Sequence, residues 1–170
     1  MTSYRRSNVA GATYFFTVNL AVRSQSLLTE NMTALREAIS FVQARHPFTT
    51  DAFVVLPDHL HAIWTLPDGD NNFALRWRQI KSLFSRHFPP IESRSTSRFS
   101  KNERGIWQRR YWEHLIRDDA DFSRHVDYIH INPLKHGLVK RIADWPYSSF
   151  HQYVKQGTLP ANWAGGPESD

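Results

Sequence analysis

Two imidazoles sit two residues apart in the run Ala52-Phe-Val-Val-Leu-Pro-Asp-His59-Leu60-His61-Ala-Ile-Trp64. Side chains alternate across a β-strand, so His59 and His61 share one side while Leu60, Ala62, Trp64 and Leu66 form an apolar stripe on the other. The imidazoles are then expected to look out from a rigid platform. An arbitrary His-x-His is more often one solvated ring and one ring bonded near the core, so the pair means chemistry only if a third ligand and a reactive group accompany it. Both types occur in Asp127-Tyr128-Ile-His-Ile-Asn132-Pro133-Leu-Lys-His-Gly-Leu138. Tyr128 and Asn132 are four residues apart, hence one above the other on one helix face, opposite a Phe122/Val126/Ile129 stripe. Pro133 predicts that Asn132 lies at or just past the helix end. Two neutral imidazoles and an amide oxygen leave a divalent ion with open positions; this mixed set suits Mn²⁺ or Mg²⁺, and Zn²⁺ also accepts it. Such an ion is a Lewis acid for a phosphodiester, and a tyrosine is a suitable nucleophile, because an aryl phosphodiester keeps the bond energy for a later rejoining step. Phenols ionise only near pH ~10, so the attack needs a proton acceptor; Lys135, His136 or a metal-bound water are the candidates.

Composition narrows the chemistry further. The chain has no cysteine, which excludes disulfides, thiolate metal sites and cysteine nucleophiles, and fits a reducing cytoplasm. The N-terminal Met1-Thr-Ser-Tyr-Arg-Arg6 is basic but no signal-length apolar run follows it, and eighteen apolar residues never run together. A soluble, unexported protein is the expectation. With 170 residues, 41% of them hydrophobic, one domain with a proper core is expected. Residues 1–150 read as that domain, including a flexible basic loop at about 91–104, and 151–170 as an aromatic tail packed on it, with the last residues fraying. Positive charge is uneven: the segment from Arg76 to Arg110 carries a net +8 in a chain of +5 overall. Interleaved with Trp77, Phe84, Phe88, Phe99 and Trp107, that block has the composition of a surface for phosphates and stacked bases.

The elements that must position these groups follow from spacing. Thr13 to Val22 is aromatic and β-branched, a first strand. Met32 to Arg45 has helical periodicity and is stopped by Pro47. Phe53–Leu56 and His59–Leu66 read as two antiparallel strands around Pro57-Asp58. Phe73 to Phe88 reads as a basic amphipathic helix ended by Pro89-Pro90, Ile91 to Glu103 as a polar loop, and Trp107 to Ile116 as another strand. Asp118 is placed to cap a helix that follows. The order predicts an α+β fold: a ferredoxin-like or RRM-like split βαβ with an antiparallel sheet, helices on one face and a C-terminal tail.

The His-Leu-His strand taken with Tyr128 to Val139 resembles the HUH endonuclease superfamily and, within it, the REP-associated tyrosine transposases, relatives of the single-tyrosine transposases. Tyr4-Arg5-Arg6, Gly11 to Asn19, Leu56 to His61, Trp107-Gln-Arg-Arg-Tyr-Trp-Glu-His114 and Trp145-Pro-Tyr-Ser-Ser-Phe150 agree with that family, so the resemblance spans nearly the whole chain. It implies that His59, His61 and Asn132 hold a Mg²⁺ or Mn²⁺ ion, although related transposases more often carry Gln four residues after the tyrosine. It implies that Tyr128 takes the 5′-phosphate and releases a 3′-hydroxyl. The implied substrate is single-stranded DNA bearing REP-type hairpins with a guide sequence at the foot. Arg5, Arg6, Arg78, Lys81, Arg86, Arg109 and Arg110 are candidates for phosphate contacts. Trp107 or Trp145 is placed to stack a base or to pack the core, and Glu113 and His114 to support the metal ligands. The chain is expected to need no small-molecule cofactor or membrane, and to work in the bacterial cytoplasm, on the nucleoid when DNA-bound, as a monomer supplying Tyr128 in cis. Two readings compete: a non-catalytic nucleic-acid-binding module on the same fold, and a Zn²⁺-dependent hydrolase using water as nucleophile.

Overall fold

Four short segments with in–out alternation pair into one antiparallel sheet: β1 (Thr13–Asn19), β2 (Thr49–Val55), β3 (His59–Thr65) and β4 (Trp112–Leu115), in the order β2-β3-β1-β4. The computed structural model describes residues 8–89, 96 and 104–165. Pro57-Asp58 sits in the tight β2–β3 connection, where the Leu56 N–H reaches the His59 carbonyl at 2.8 Å, as the two-strand reading requires. In the β1–β3 register Thr17 stands opposite His61 and Asn19 opposite His59.

The helices are α1 (Leu27–Glu30), α2 (Met32–Arg45), α3 (Phe73–Arg86), α4 (Asp119–Lys135) and α5 (Phe150–Lys155), with a 3-10 turn at Ile142–Asp144. The short α1 has no clear signal in the sequence. Asn72 caps α3 by accepting the Leu75 N–H, and Asp118 caps α4 by accepting the Asp121 N–H at 2.7 Å.

The two faces of the sheet bury different side chains. Tyr14, Phe16, Leu60, Ala62 and Trp64 pack with α2 and α3, where Trp64 and Trp77 stack at 4.1 Å between centroids. Phe15, Val54 and Ile63 pack with Val126 and Ile129 of α4. The α+β split-βαβ class is as read from the sequence, with one correction: α2 and α3 share a face, but α4 covers the other. A parallel correction concerns the histidines. His59 and His61 do not look out to solvent; they are 5% and 3% exposed beneath α4, because the Val126/Ile129 stripe seats that helix over their side of the sheet.

The strand expected over Trp107 to Ile116 is interrupted. Trp107 bridges to Leu20 with Gln108 N–H still on the Asn19 carbonyl, residues 109–111 leave the ladder, and pairing resumes at Trp112. Arg109 and Arg110 are both exposed, and two consecutive outward side chains break the alternation that a paired strand needs. At the opposite edge, Tyr147–Ser149 lies along β2: Val55 N–H donates to Tyr147, Ser149 N–H to Phe53, and Phe53 N–H to the Ser149 hydroxyl. Val154, Leu159 and Trp163 then pack on Ile131, Ile142 and Phe150. Tyr4-Arg5-Arg6, nearly all of the loop at 91–104 and the final residues 166–170 lie outside the described residues.

Candidate active site

The spacing 125, 128, 132 and 136 turns one polar stripe of α4 toward β1 and β3. The His61 ring lies 5.2 Å from the Tyr128 ring and 5.0 Å from that of His59, and the His59 ring lies 5.3 Å from that of His136. Tyr128 is 41% exposed, whereas Asn132 is 1% exposed with its Nδ2 at 3.5 Å from the Tyr128 carbonyl. Tyr128 thus meets the histidine pair directly, and Asn132 lies one turn further along the same face of α4.

Asn132 lies inside α4 and not at or past its end. Proline lacks an N–H and crowds the carbonyl one turn back, yet the turn that follows is closed past it: His136 N–H donates to Asn132, Gly137 N–H to Leu134 and Leu138 N–H to Pro133. Gly137 supplies the left-handed residue (φ +70°) that this double closure requires.

Each imidazole is fixed through Nδ1. His59 Nδ1–H donates to the Asp58 carboxylate at 2.8 Å, and Asp58 is itself paired with Arg23. Burial alone would raise the Asp58 carboxyl, but the bonds from Arg23 and His59 outweigh it and hold it below the ordinary value. His61 Nδ1 is joined to the Thr17 hydroxyl at 2.8 Å. Burial pushes the His61 imidazole down to about 3, with the neighbouring His59 adding to the effect, and burial also lowers His59 against the pull of Asp58. Both rings are therefore neutral at pH 7, the form that binds metal.

Two buried atoms of the set, His61 Nε2 and Asn132 Oδ1, have no hydrogen-bond partner. Leaving such a group unpaired costs about 1–3 kcal/mol. An imidazole nitrogen and an amide oxygen are both metal-ligand types, so the residues fit a cation bound by nitrogen and oxygen donors. A second group of potential ligands, His114, Asp121 and His125, has its ligand atoms within 4.8 Å of one another. There the Asp121 carboxylate already accepts the Arg117 N–H at 2.9 Å and meets His114 at 2.8 Å. His114 lies on the α4 side of β4, whereas Glu113 is buried on the α2/α3 side, across the sheet from His61. Only His114 of that pair approaches α4.

The expected phosphate-binding residues scatter. Arg78 and Arg86 are exposed on α3, across the sheet from Tyr128, and Arg109 and Arg110 are exposed before β4. Lys81 donates to the Gln108 carbonyl at 3.0 Å, tying α3 to the approach to β4. Arg5 and Arg6 lie outside the described residues. Arg76, counted above in the basic block, is 1% exposed and bonds Asp70, Asn72 and the His46 and Pro47 carbonyls. Trp107 is core, 6% exposed against Phe84, and Trp145 donates its indole N–H to Val55 at 3.0 Å. Among the described residues, no helix is long and apolar enough to cross a membrane.

Sequence reasoning missed Thr17, Phe15, Arg23, Trp112, Arg124 and His125. Only His125 left a signal, the i, i+3, i+7 series of polar side chains that ends at Asn132.

No protein-family model matches the chain. A REP-associated tyrosine transposase of Escherichia coli (strain K12) is 48% identical over 165 residues, 97% of this chain and 92% of that protein. A relative from Haemophilus influenzae that carries the same family name is 45% identical over 99% of this chain and 96% of its own. The solved structure described as a REP-associated tyrosine transposase bound to a REP hairpin superposes with a TM-score of 0.85 at 46% identity, covering 100% of this chain and 95% of that one.

Proposed function

Because the chain belongs to the REP-associated tyrosine transposases, we propose that it is a metal-dependent single-strand DNA endonuclease and strand transferase acting on REP-type hairpins through a covalent 5′-phosphotyrosine. The observation that carries the reading is the meeting of an exposed Tyr128 ring with the buried His61, beside two unpartnered ligand atoms, His61 Nε2 and Asn132 Oδ1. Binding to a REP hairpin by a structure 46% identical to this chain supports the substrate class.

In this reading His59, His61 and Asn132 hold Mg²⁺ or Mn²⁺, which when bound supplies Lewis-acid polarisation of the scissile phosphate. Asp58 accepts from His59 Nδ1–H and so leaves His59 Nε2 as the lone-pair atom, while Thr17 holds the His61 ring through Nδ1 and turns its Nε2 away from the protein's other donors and acceptors. Tyr128 loses its phenolic proton and its oxygen attacks phosphorus. The Tyr–O–P bond forms, the P–O3′ bond breaks, and the released 3′ oxygen takes up a proton. In the reverse step an incoming 3′-hydroxyl gives up its proton and attacks phosphorus: the new P–O3′ bond forms, the Tyr–O–P bond breaks, and the released phenolate takes up a proton. Arg5, Arg6, Arg78, Lys81, Arg86, Arg109 and Arg110 contact phosphates and carry no base information themselves. The chain acts as a monomer in the cytoplasm, on the nucleoid when DNA-bound; residues 1–150 form the catalytic unit and 151–170 its tail, of which Val154, Leu159 and Trp163 pack on the domain.

The test is incubation with hairpin-bearing single-stranded DNA and Mg²⁺ or Mn²⁺, followed by denaturing electrophoresis. Cleavage with a covalent protein–DNA band, lost in Tyr128→Phe, is expected. Cleavage that survives Tyr128→Phe assigns the nucleophile to water, and binding without cleavage leaves a DNA-binding module.

A further inference from the structure

Tyr128 and Thr17 also form part of the wall of a cleft whose other lining residues the chemistry above does not use. The cleft encloses about 330 Å³ and is lined by Phe15, Thr17, Trp112, Arg124, His125 and Tyr128. Sheet register builds it. Trp112 pairs with Thr17 and His114 with Phe15, so β4, the outer strand, turns Trp112 to the α4 side, next to the threonine that holds His61.

Two of its aromatic rings stand in solvent, Trp112 at 56% exposure and Tyr128 at 41%, while Phe15 beneath meets Tyr128 edge-on at 6.0 Å. In a domain that buries Trp64 and Trp77 to 2% or less, two large rings this exposed on one cleft mark it as a binding surface. The polar lining is cationic. The Arg124 side chain is 45% exposed and touches Asp121 at only 3.4 Å, which leaves other N–H groups of its fork for a ligand. His125 is fixed by its Nδ1 bond to the Asp121 carbonyl at 2.7 Å, and the Asp121 carboxylate is anchored by the Arg117 N–H and His114. The walls are a strand and a helix, so the cleft is preformed.

We propose that this cleft holds one nucleotide of the single-stranded substrate, with its base stacked on Trp112 and its phosphate on Arg124, adjacent to the phosphate that Tyr128 attacks. Its place beside the reaction rests on the nuclease reading; the binding itself does not. The volume is at the small end of the ~300–1,000 Å³ typical of ligand pockets, which suits a single nucleotide. Stacking accepts any base and the guanidinium meets only phosphate, so the subsite sets where the strand lies and leaves base reading to other residues.

The experiment uses the full chain carrying Tyr128→Phe and fluorescence anisotropy with two labelled probes, decathymidylate and a strand of the same length made wholly of abasic residues. Trp112→Ala is expected to weaken decathymidylate binding about tenfold and the abasic strand less than twofold, with Trp112→Phe recovering most of the loss. Arg124→Ala is expected to weaken both probes and to reduce the slope of log affinity against log salt by about 0.7. Trp112→Ala weakening both strands alike, or neither, overturns the proposal, as does a chain that does not bind decathymidylate at low salt. The Trp112→Phe arm separates a lost ring from lost folding. A Trp112-dependent preference for the base-bearing strand, together with no adduct from wild-type protein on hairpin DNA, would defeat the nuclease reading and leave the cleft assignment standing.

Discussion

Thr17 and His61 face each other across the β1–β3 ladder, and the threonine hydroxyl meets His61 Nδ1 at 2.8 Å. That contact leaves Nε2 as the atom with no protein partner. A neutral imidazole has one donor and one acceptor nitrogen, so what holds Nδ1 decides whether Nε2 can bind a cation. Thr17→Val keeps the shape and removes the hydroxyl. Mn²⁺ affinity, read by calorimetry, is expected to fall about 10–100-fold in Thr17→Val, the usual effect of losing such a support, and to be retained in Thr17→Ser.

Acid should weaken the fold in part through a buried histidine outside the proposed ligand set. His130 is fully buried, bonds Ser149 through Nε2, and is lowered by burial to about 4 from an unfolded value of 6.5. Between those values the unfolded chain binds more protons than the folded one, so this histidine's stabilisation is present above pH 6.5 and is lost as pH falls toward 4. One such group contributes a slope of up to about 1.4 kcal/mol per pH unit. Urea unfolding at pH 7 and pH 5 should therefore show a smaller difference in His130→Gln than in the wild type. An unchanged difference would remove His130 from the account.

Arg76 and Arg78 are two residues apart and should behave oppositely. Arg76 is buried against Asp70, whose carboxyl is held down to about 2 by the Arg76 bond and the Asn72 N–H. Arg76→Ala removes a buried guanidinium together with its bonds to Asp70 and to backbone carbonyls, and is expected to cost about 1–3 kcal/mol in urea unfolding. Arg78, exposed on α3, is expected to change stability by less than about 0.5 kcal/mol when replaced by Ala. Arg78→Ala should instead weaken hairpin binding and lower its salt slope by about 1, measured by anisotropy across a salt series.

If Tyr128 acts on the metal site of its own chain, two inactive variants cannot rescue each other. Mixing Tyr128→Phe with His61→Ala is expected to give no covalent adduct at any ratio, scored by denaturing electrophoresis with Mg²⁺ and hairpin DNA. An adduct on the His61→Ala polypeptide would show that helices are exchanged between chains.

Much of this site is local enough to be read from the chain. Alternation placed His59 and His61 on one side of a strand, the four-residue spacing placed Tyr128 over Asn132, and Asp118 marked the start of α4, because each depends only on neighbours along the backbone. What fails is what depends on tertiary partners. Nothing in the Val126/Ile129 stripe says which sheet face it will cover, so the burial of the histidines was invisible. Pro133 signals a helix stop, but Gly137 and two further N–H bonds carry the helix past it. Arg76 reads as one more surface cation until Asp70 and three carbonyls are seen around it. Trp112, Arg124 and His125 meet only through the pairing of β1 with β4 and the seating of α4, which no spacing rule gives.

The short pairing of Tyr147–Ser149 with β2 makes the end of the chain part of the sheet's defence against self-association. An unpaired strand edge is a template for another chain, and β2 would offer such an edge if residues 147–149 were absent. A protein cut before Tyr147 would keep every residue of the candidate metal site and yet tend to join edge to edge with its copies, so its solubility, before its chemistry, would be the property lost.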